Sequence, residues 1–380
     1  MELVQRYFCS SCHKSFSFRR EVLRKRLTEK LKRSITHDYL CGLSLSDLSS
    51  KNNISVGSLW SIIDSFGANL KSDEEVAAEL RLKERNKWSG ILLLDGKVIK
   101  THEGNFSLLL AFDFGTSDLI SSVFGRYESE EALGKLVRQV KSCGYEIKFL
   151  VTDARQAMVN LTQLKACPRP FVLKGSRHYP RPFYGKPMEV FDPGYSKPLL
   201  FGVPHQLCVV HLLRDVDKVL KYPRTTDGER KKLRNILYRI LLSRRYPSHL
   251  AGVRKLKERF PLTGKEHLRT ADIVLSRLSM ITTHFRFRKD NPAFKRKKIP
   301  NSTNPMENII SYLNQRLKTI RKFKTMESAR RVVRLIIFKY RFRKLNGAKN
   351  VKRRKKSPLE RAGAKIRGLN YLTFIQKSTA

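Results

Sequence analysis

The segment Trp88–Lys100, WSGILLLDGKVIK, decides the fold. Its apolar run Ile91–Leu94 is too short to cross a bilayer and is typical of a central strand that is buried on both faces. Asp95 ends the run with a carboxylate, which needs a partner wherever the strand is buried. Two interpretations are open here. Asp95 and Gly96 form a hairpin turn, or Asp95 projects from a central strand as a metal ligand.

The charge of the chain is strongly one-sided. The 380 residues include 78 Lys and Arg against 33 Asp and Glu, which gives a formal net charge of +45. An enzyme of small molecules does not need this excess, whereas the phosphate backbone of nucleic acid is its natural counterpart. The 41% hydrophobic content allows two or three domains with a sizeable core. No apolar stretch predicts a membrane span or a signal peptide.

Six widely spread cysteines do not form a disulfide framework and favour a reducing compartment. Two of them, Cys9 and Cys12, could present thiolates to one tetrahedral zinc ion in a partial zinc-ribbon-like knuckle over residues 1–20. A closed zinc site needs four ligands, and no second such pair occurs. His37 and Cys41 could complete it at an unusual spacing, so zinc binding here is a hypothesis.

Residues 21–71 have the pattern of a small helical helix-turn-helix domain. One helix is predicted at Ser46–Lys51, and Ser55 is a candidate N-cap for a second helix. The alternative is a purely structural three-helix cluster with Trp60 in its core. Three candidate DNA contacts lie at the start of the second helix: Ser55, Gly57 and Ser58. Residues 72–88 are predicted to be a charged connector.

After Asp95 the pattern predicts two strands, a helix, a strand ending in Asp153, and another helix. The predicted strands are Phe106–Asp113, Leu119–Phe124 and Tyr145–Thr152, and the helices are Glu128–Cys143 and Ala154–Leu164. This order is similar to the start of a ribonuclease-H-like mixed sheet, in which Asp95 and Asp153 would meet at one edge. We assign residues 89–204 to the first part of this α/β domain.

The end of that region, Lys165–Pro204, holds eight of the 15 prolines. It is either a linker or a loop that grips a nucleic-acid strand, and we favour the second; Arg177 and Arg181 are its candidate DNA contacts. Residues 205–290 are predicted to form an inserted helical domain. Cys208 and His211 at its start could be zinc ligands, but we favour a structural pair that packs the insertion against the sheet.

Residues 291–345 would complete the α/β domain with a helix that carries Glu307. Asn304 fits an N-cap and Pro305 the first helical position, so Glu307 could simply close a capping box. Alternatively, Glu307 is an acid at the wall of a cleft. It shares a helix face with Asn314 and Lys318, which with Arg321 are further candidate DNA contacts. Residues 346–380 form a basic tail.

Four blocks in order resemble the Mutator/IS256-type DDE transposases. They are Leu94-Asp95-Gly96, Thr152-Asp153-Ala154, the Cys-x-x-His segment Gln206–Asp215, and Thr303–Asn308 running on to Asn314. The third block is the most specific, because Cys-x-x-His between the second acid and the glutamate marks the family. The resemblance covers roughly residues 89–343.

The resemblance implies a catalytic triad of Asp95, Asp153 and Glu307 that holds two Mg²⁺ (or Mn²⁺) ions. Phosphodiester chemistry with two such ions needs carboxylates of this kind. The partners implied are transposon ends and target DNA, bound by a homo-oligomer, with no membrane involved. The location implied is the cytoplasm with the nucleoid, or the nucleus in a eukaryote. An inactive transposase-derived DNA-binding regulator and a ribonuclease-H-fold nuclease are the alternatives.

Overall fold

The computed structural model describes residues 6–13, 15–17, 27–153, 155–162, 198–220, 227–243, 245–259, 274, 277–295, 298–318, 320, 323–344 and 355–377. Most of the proline-rich loop, including Arg177 and Arg181, lies outside these residues, as does Arg321. Within the described residues, no helix is both long and apolar enough to cross a membrane.

The first elements are a small hairpin and four helices. They are β1 (Arg6–Phe8), β2 (Ser15–Ser17), α1 (Glu29–Cys41), α2 (Leu45–Asn52), α3 (Val56–Ala68) and α4 (Asp73–Glu79). Ser44 caps α2 through a reciprocal bond with Asp47, and Asn53 ends it in the left-handed region. The side chain of Ser55 accepts a hydrogen bond from the Ser58 backbone, so the predicted N-cap of α3 is confirmed.

A five-stranded mixed sheet follows, covered by helices. Its strands are β3 (Ile91–Thr101), β4 (Gly104–Asp113), β5 (Leu119–Gly125), β6 (Phe149–Thr152) and β7 (His205–Leu207), in the order β5-β4-β3-β6-β7. The central strand β3 runs antiparallel to β4 and parallel to β6. The fold is therefore α/β, and the apolar run before Asp95 lies in the middle of the sheet, as the sequence predicts.

The hairpin-turn interpretation of Asp95 and Gly96 is wrong. β3 continues through both residues, which pair with Leu110 and Leu109 of β4. The turn comes instead between Thr101 and Gly104, where the ladder ends. The ladder with β4 is unbroken over this length, so an internal Asp-Gly pair has no opportunity to reverse the chain.

The elements around Asp153 are shorter than the sequence pattern predicts. β6 begins at Phe149, because Tyr145 is buried and donates a hydrogen bond of 2.8 Å to Asp113 instead of joining the sheet. The following helix, α6, is only Gln156–Val159. The helix before β6, α5 (Glu130–Ser142), lies within its predicted range.

The predicted start of the helical insertion is wrong, because His205–Leu207 form β7, which pairs with β6 in the sheet. The described residues from Val209 to Asp290 are mainly helical. They contain α7 (Val209–Leu220), α8 (Asp227–Leu241), α9 (Tyr246–Arg259), α10 (Leu278–Ile281) and α11 (Thr283–Asp290), followed by a 3-10 turn at Pro292–Phe294. The buried residues of α7–α10 form a hydrophobic cluster separate from the main core, whereas Phe287 of α11 belongs to the main core. On α8, five apolar residues at helical spacing are all buried: Leu233, Ile236, Leu237, Ile240 and Leu241.

The last helices return to the sheet and to the N-terminal helices. They are α12 (Asn304–Leu317), α13 (Met326–Phe342), α14 (Pro358–Ala362) and α15 (Tyr371–Phe374). On α13, fully buried Arg341 pairs with fully buried Asp118 at 2.9 Å. The predicted basic tail is wrong for its described residues, 355–377, because Leu359, Leu372 and Ile375 are buried in the main core. Gln376 also forms a bridge with Leu70, after α3. One hydrophobic cluster thus includes α1–α4, the sheet and α12–α15.

Candidate active site

Asp95 and Asp153 lie side by side on neighbouring parallel strands. Leu93 of β3 pairs with Val151 of β6, and each aspartate follows its residue of that pair by two positions. Adjacent strands are about 4.8 Å apart, and residues at equal register positions share a face. The two aspartates that the sequence analysis singled out are thus brought together, although Asp95 lies within β3 and not at its end.

Asp95 is a half-buried carboxylate with its own set of partners. The backbone N–H of Gly96 donates to its Oδ1 at 2.8 Å. Burial raises the pKa of Asp95, and the neighbouring Asp153 raises it further, while His211 and a hydrogen bond from Thr303 oppose the rise. In this site, each of the two carboxylates disfavours ionisation of the other, whereas the neighbouring polar groups favour the ionised form of Asp95.

Cys208 and His211 link the insertion to this carboxylate pair. Cys208 directly follows β7, whose Leu207 pairs with Thr152, so it lies next to Asp153 at the edge of the sheet. Burial disfavours its thiolate, yet hydrogen bonds with His211 and Thr303 lower the pKa of Cys208 on balance. The bond with Cys208 in turn raises the pKa of His211. A fully buried thiol in this position holds α7 against the start of α12.

The predicted capping box at Glu307 is wrong. The N-cap of α12 is Thr303 and not Asn304, and its side chain makes no capping hydrogen bond. Its backbone N–H and hydroxyl are instead directed to Sγ of Cys208, at 3.3 and 3.5 Å. The cap residue is thus used to attach the helix to the site, and Glu307 is left free of any capping role.

Glu307 lies one helical turn beyond Thr303, which is about 6 Å along the axis. Its carboxylate is 58% exposed and meets Nη2 of Arg214 at 3.4 Å. Arg214 lies one turn after His211 on α7, as Glu307 lies one turn after Thr303 on α12. At each of these two turns, one residue of α7 therefore lies near one residue of α12. The inner pair, Thr303 and His211, interacts with Asp95, and the outer pair is Glu307 with Arg214.

Two charged residues that the sequence analysis did not single out belong to the same site. Arg155 donates from Nε to Oδ2 of Asp153 at 2.9 Å and also forms an ion pair with Glu128. The Glu128 side chain is only 6% exposed and lies over Gly96, where an added Cβ would come within 2.6 Å of its Cδ. Burial raises the pKa of Glu128. Gly96 is therefore the residue that makes room for a third carboxylate beside the two aspartates.

Little in the sequence separates Glu128 from ordinary helix-start acids. It precedes Ser129, the N-cap of α5, and is followed by Glu130 and Glu131 in the first turn, where acids are common because they favour the helix dipole. The glycine after Asp95 was the available signal. A glycine inside a strand marks a close approach by another group.

The other candidate sites are distributed as follows. Ser55, Gly57 and Ser58 form the exposed start of α3, and a Cβ added at Gly57 would meet nothing within 4 Å. Asn314 and Lys318 are exposed on or just after α12, on the Glu307 face. These two sets belong to different elements. Trp60 is half-buried, and the buried side chains of α3 include Leu59 and Ile63.

Cys9 and Cys12 lie in the turn between β1 and β2. Hydrogen bonds from the Cys12 and Ser11 backbone lower the pKa of Cys9. A lowered pKa favours the thiolate, which is the form of cysteine that binds zinc. The other two suggested ligands, His37 and Cys41, are both in α1, with 3.4 Å between Nε2 and Sγ. Zinc binding by Cys9 and Cys12 stays a prediction.

The described residues contain no group of three His, Cys, Asp or Glu side chains arranged to hold one metal ion. Two carboxylates, Asp95 and Asp153, stand together, but arginines hold Asp153 and Glu307. The arrangement in this conformation therefore does not by itself make a complete divalent-cation site.

Comparison with known proteins does not supply a family. No family model matches the sequence, and no curated protein matches it either.

Proposed function

We propose that this chain is a DDE transposase, which cleaves DNA at transposon ends and joins it to a target. The observation that carries the proposal is the position of Asp95 and Asp153, each two residues after the Leu93–Val151 pair of two adjacent parallel strands. It is supported by the attachment of the Glu307 helix to the two aspartates through Thr303 and Cys208. Three sequence blocks with no local connection thus meet around one edge of the sheet. The large positive charge is suited to DNA as substrate.

We propose in addition that the sheet is ribonuclease-H-like. Three antiparallel strands in sequence order, then two parallel strands added on the other side of β3, give the order β5-β4-β3-β6-β7. In this arrangement the helical insertion lies between β7 and α12. It separates Glu307 from the aspartates in sequence without separating α12 from the site.

Magnesium or manganese is the proposed cofactor, with Asp95 and Asp153 as its first ligands. Glu307 would join them once Arg214 releases it, and Glu128 is near enough to Asp153 to share Arg155. When bound, such ions activate the attacking oxygen and neutralise the leaving oxygen. The residues of the chain supply position: Gly96 donates its N–H to Asp95, and Thr303 fixes the start of α12.

For DNA recognition we propose that α2 and α3 act as a helix-turn-helix. The exposed N-terminal turn of α3 would contact bases, because in such motifs the start of the second helix reaches the major groove. The C-terminal half of α3 is buried against α13, where Gly67 lies against Arg331. This half cannot take part in recognition without undocking.

The test is a cleavage and strand-transfer assay on DNA that carries the terminal repeats flanking the coding sequence. We expect Asp95→Asn and Asp153→Asn to remove activity while they retain fold and DNA binding. Asp215→Asn is the matched control, because Asp215 is an acid on α7 whose side chain is 44% exposed and pairs with nearby Lys218. Full activity of either active-site variant would refute the proposal.

A DNA-binding regulator without catalysis is the second candidate. It is favoured by one observation, the pairing of both Asp153 and Glu307 with arginines. A wild-type protein that binds the terminal repeats but cleaves them with neither Mg²⁺ nor Mn²⁺ would favour this candidate.

A further inference from the structure

One face of α1 carries a line of four polar side chains, of which Lys30 and Arg33 are cations. Burial and nearby Lys339 lower the pKa of His37. Lys30, Arg33, His37 and Cys41 are spaced by three or four residues, so they lie above one another along the helix. The line is about 16 Å long at 1.5 Å per residue. Lys30, His37 and Cys41 are exposed.

The acids of α1 do not neutralise this face. Glu29 pairs with Lys32 at 2.6 Å, and Asp38 pairs with Lys51 at 2.7 Å. Both carboxylates therefore pair with lysines, Lys32 and Lys51, that lie outside the line of Lys30, Arg33, His37 and Cys41.

A cavity of about 420 Å³ runs beside this face. Lys30, Arg33 and His37 line one side, and Asn370 and Tyr371 from the C-terminal segment line the other. The contacts across it are polar: Arg33 donates to Thr373 at 3.2 Å, and Nδ1 of His37 lies 3.3 Å from the Tyr371 hydroxyl.

At the Cys41 end, three more cations converge from α12 and α13. Nζ of Lys339 lies 2.7 Å from Sγ of Cys41, and Arg316 donates to the Cys41 carbonyl oxygen. The guanidinium groups of Arg316 and Arg343 each lie 5.4 Å from the Tyr312 ring. Burial lowers the pKa of Lys339, and the two arginines lower it further.

The groove therefore has a charge imbalance of its own. Lys339 contacts Sγ of Cys41 and Arg343 contacts the ring of Tyr312, and neither of these partners is a carboxylate. Gathering like charges in a partly buried place is unfavourable unless an anion accompanies them. A bound polyanion would remove this cost.

We infer that this groove, from Lys30 along α1 to Lys339 and Arg343, binds the phosphate backbone of duplex DNA. The inference rests on the proposed function, since it supposes that the chain binds DNA. Length favours DNA over a small anion, because phosphates recur every 3.4 Å along each strand and a 16 Å line passes several of them. Backbone contacts by α1 would fix the orientation of the duplex, while α3 contacts its bases.

The first experiment measures salt dependence of duplex binding by Lys30→Ala/Arg33→Ala. We expect the slope of log affinity against log salt to fall by about two, one for each lost phosphate contact. Lys135→Ala/Arg138→Ala is the matched control, since it removes a Lys and an Arg at the same spacing from exposed positions of the 13-residue helix α5. An unchanged slope in the α1 variant, or an equal fall in the control, would overturn the inference.

The second experiment uses the wild-type chain and so does not depend on the fold of a variant. Iodoacetamide alkylation of Cys41 is followed with and without duplex DNA, and exposed Cys12 serves as the internal reference. We expect DNA to slow alkylation of Cys41 relative to Cys12. Equal rates with bound DNA, or protection by duplex RNA alone, would overturn the inference. A wild-type protein that binds no DNA would instead refute the proposed function itself.

Discussion

Nε of Arg155 lies 2.9 Å from Oδ2 of Asp153, two residues earlier in the chain, and the same guanidinium also pairs with Glu128. One exposed arginine thus occupies two of the three carboxylates that surround Gly96. A divalent cation that binds Asp153 has to compete with this resident charge.

We therefore predict that Arg155→Ala binds Mn²⁺ more tightly than the wild type. The side chain of Arg155 is exposed, and an ion pair with an exposed partner contributes about 0.2–1 kcal/mol, so the gain in affinity should be about 1.4- to fivefold. Thermal stabilisation by Mn²⁺ measures it, because a ligand that binds only the folded state raises the melting temperature. Arg155→Lys keeps the charge and should resemble the wild type. Unchanged or weaker binding in Arg155→Ala would contradict this role.

Gly96→Ala tests the place of Glu128. The atoms that the new Cβ would meet belong to the end of the Glu128 side chain, so we expect that side chain to move and the sheet to stay intact. The cost should be about 1 kcal/mol, at the low end for overpacking. In a double-mutant cycle of unfolding free energies, Glu128→Ala should cancel most of it. Additive costs would show that Glu128 is not the obstacle.

Glu307→Gln should keep the fold and DNA binding but lose metal-dependent cleavage. Its only cost in stability is the exposed pair with Arg214, which we expect to be below about 1 kcal/mol. Arg214→Gln breaks the same ion pair and is the matched control, since it should retain cleavage. If both variants cleave normally, Glu307 has no part in the reaction.

Cys208→Ser should destabilise the protein by about 1–3 kcal/mol, because it alters a fully buried group that contacts Thr303 and His211. Chemical denaturation measures this loss. Its cost should be non-additive with Thr303→Ala, whereas Cys143→Ser, at a buried cysteine away from Thr303, should be additive. A Cys208→Ser variant of wild-type stability that lost only strand transfer would assign Cys208 to catalysis.

His205 should make the protein sensitive to acid. Burial lowers its pKa to about 3, against about 6.5 in an unfolded chain, so between these values the unfolded state binds an additional proton. The stability that neutral His205 contributes is complete above pH 6.5 and is lost as the pH falls towards 3. The slope is at most about 1.4 kcal/mol per pH unit. His205→Asn should show a shallower loss in denaturation measured across this range; an identical profile would assign the acid sensitivity to other groups.

The sequence predicted most reliably what depends on local pattern. The buried central strand, the Ser55 cap and the apolar stripe of α8 each follow from a few neighbouring residues. The side-by-side placement of Asp95 and Asp153 needed only a parallel register, which the strand–helix–strand order implies. Two wrong predictions, the turn at Asp95 and Gly96 and the capping box at Glu307, failed because the structure there depends on residues far away in the sequence. Thr303 takes the cap position because its polar groups are turned to Cys208, and Gly96 stays in the strand because it pairs with Leu109 of β4; neither contact is visible in a local window.

The side chain of Gln376 donates to the backbone oxygen of Phe66, across a separation of 310 residues. A ribosome adds about 5 to 20 residues per second, so the nascent α1–α3 segment would wait about 15 to 60 seconds for this partner. During that interval, the surfaces of α3 that later contact α13 and the C-terminal segment would be exposed to solvent. The N-terminal helices of a newly made chain are therefore expected to reach their final stability only after Gln376 has been synthesised, and termination before that residue would leave them open to proteases.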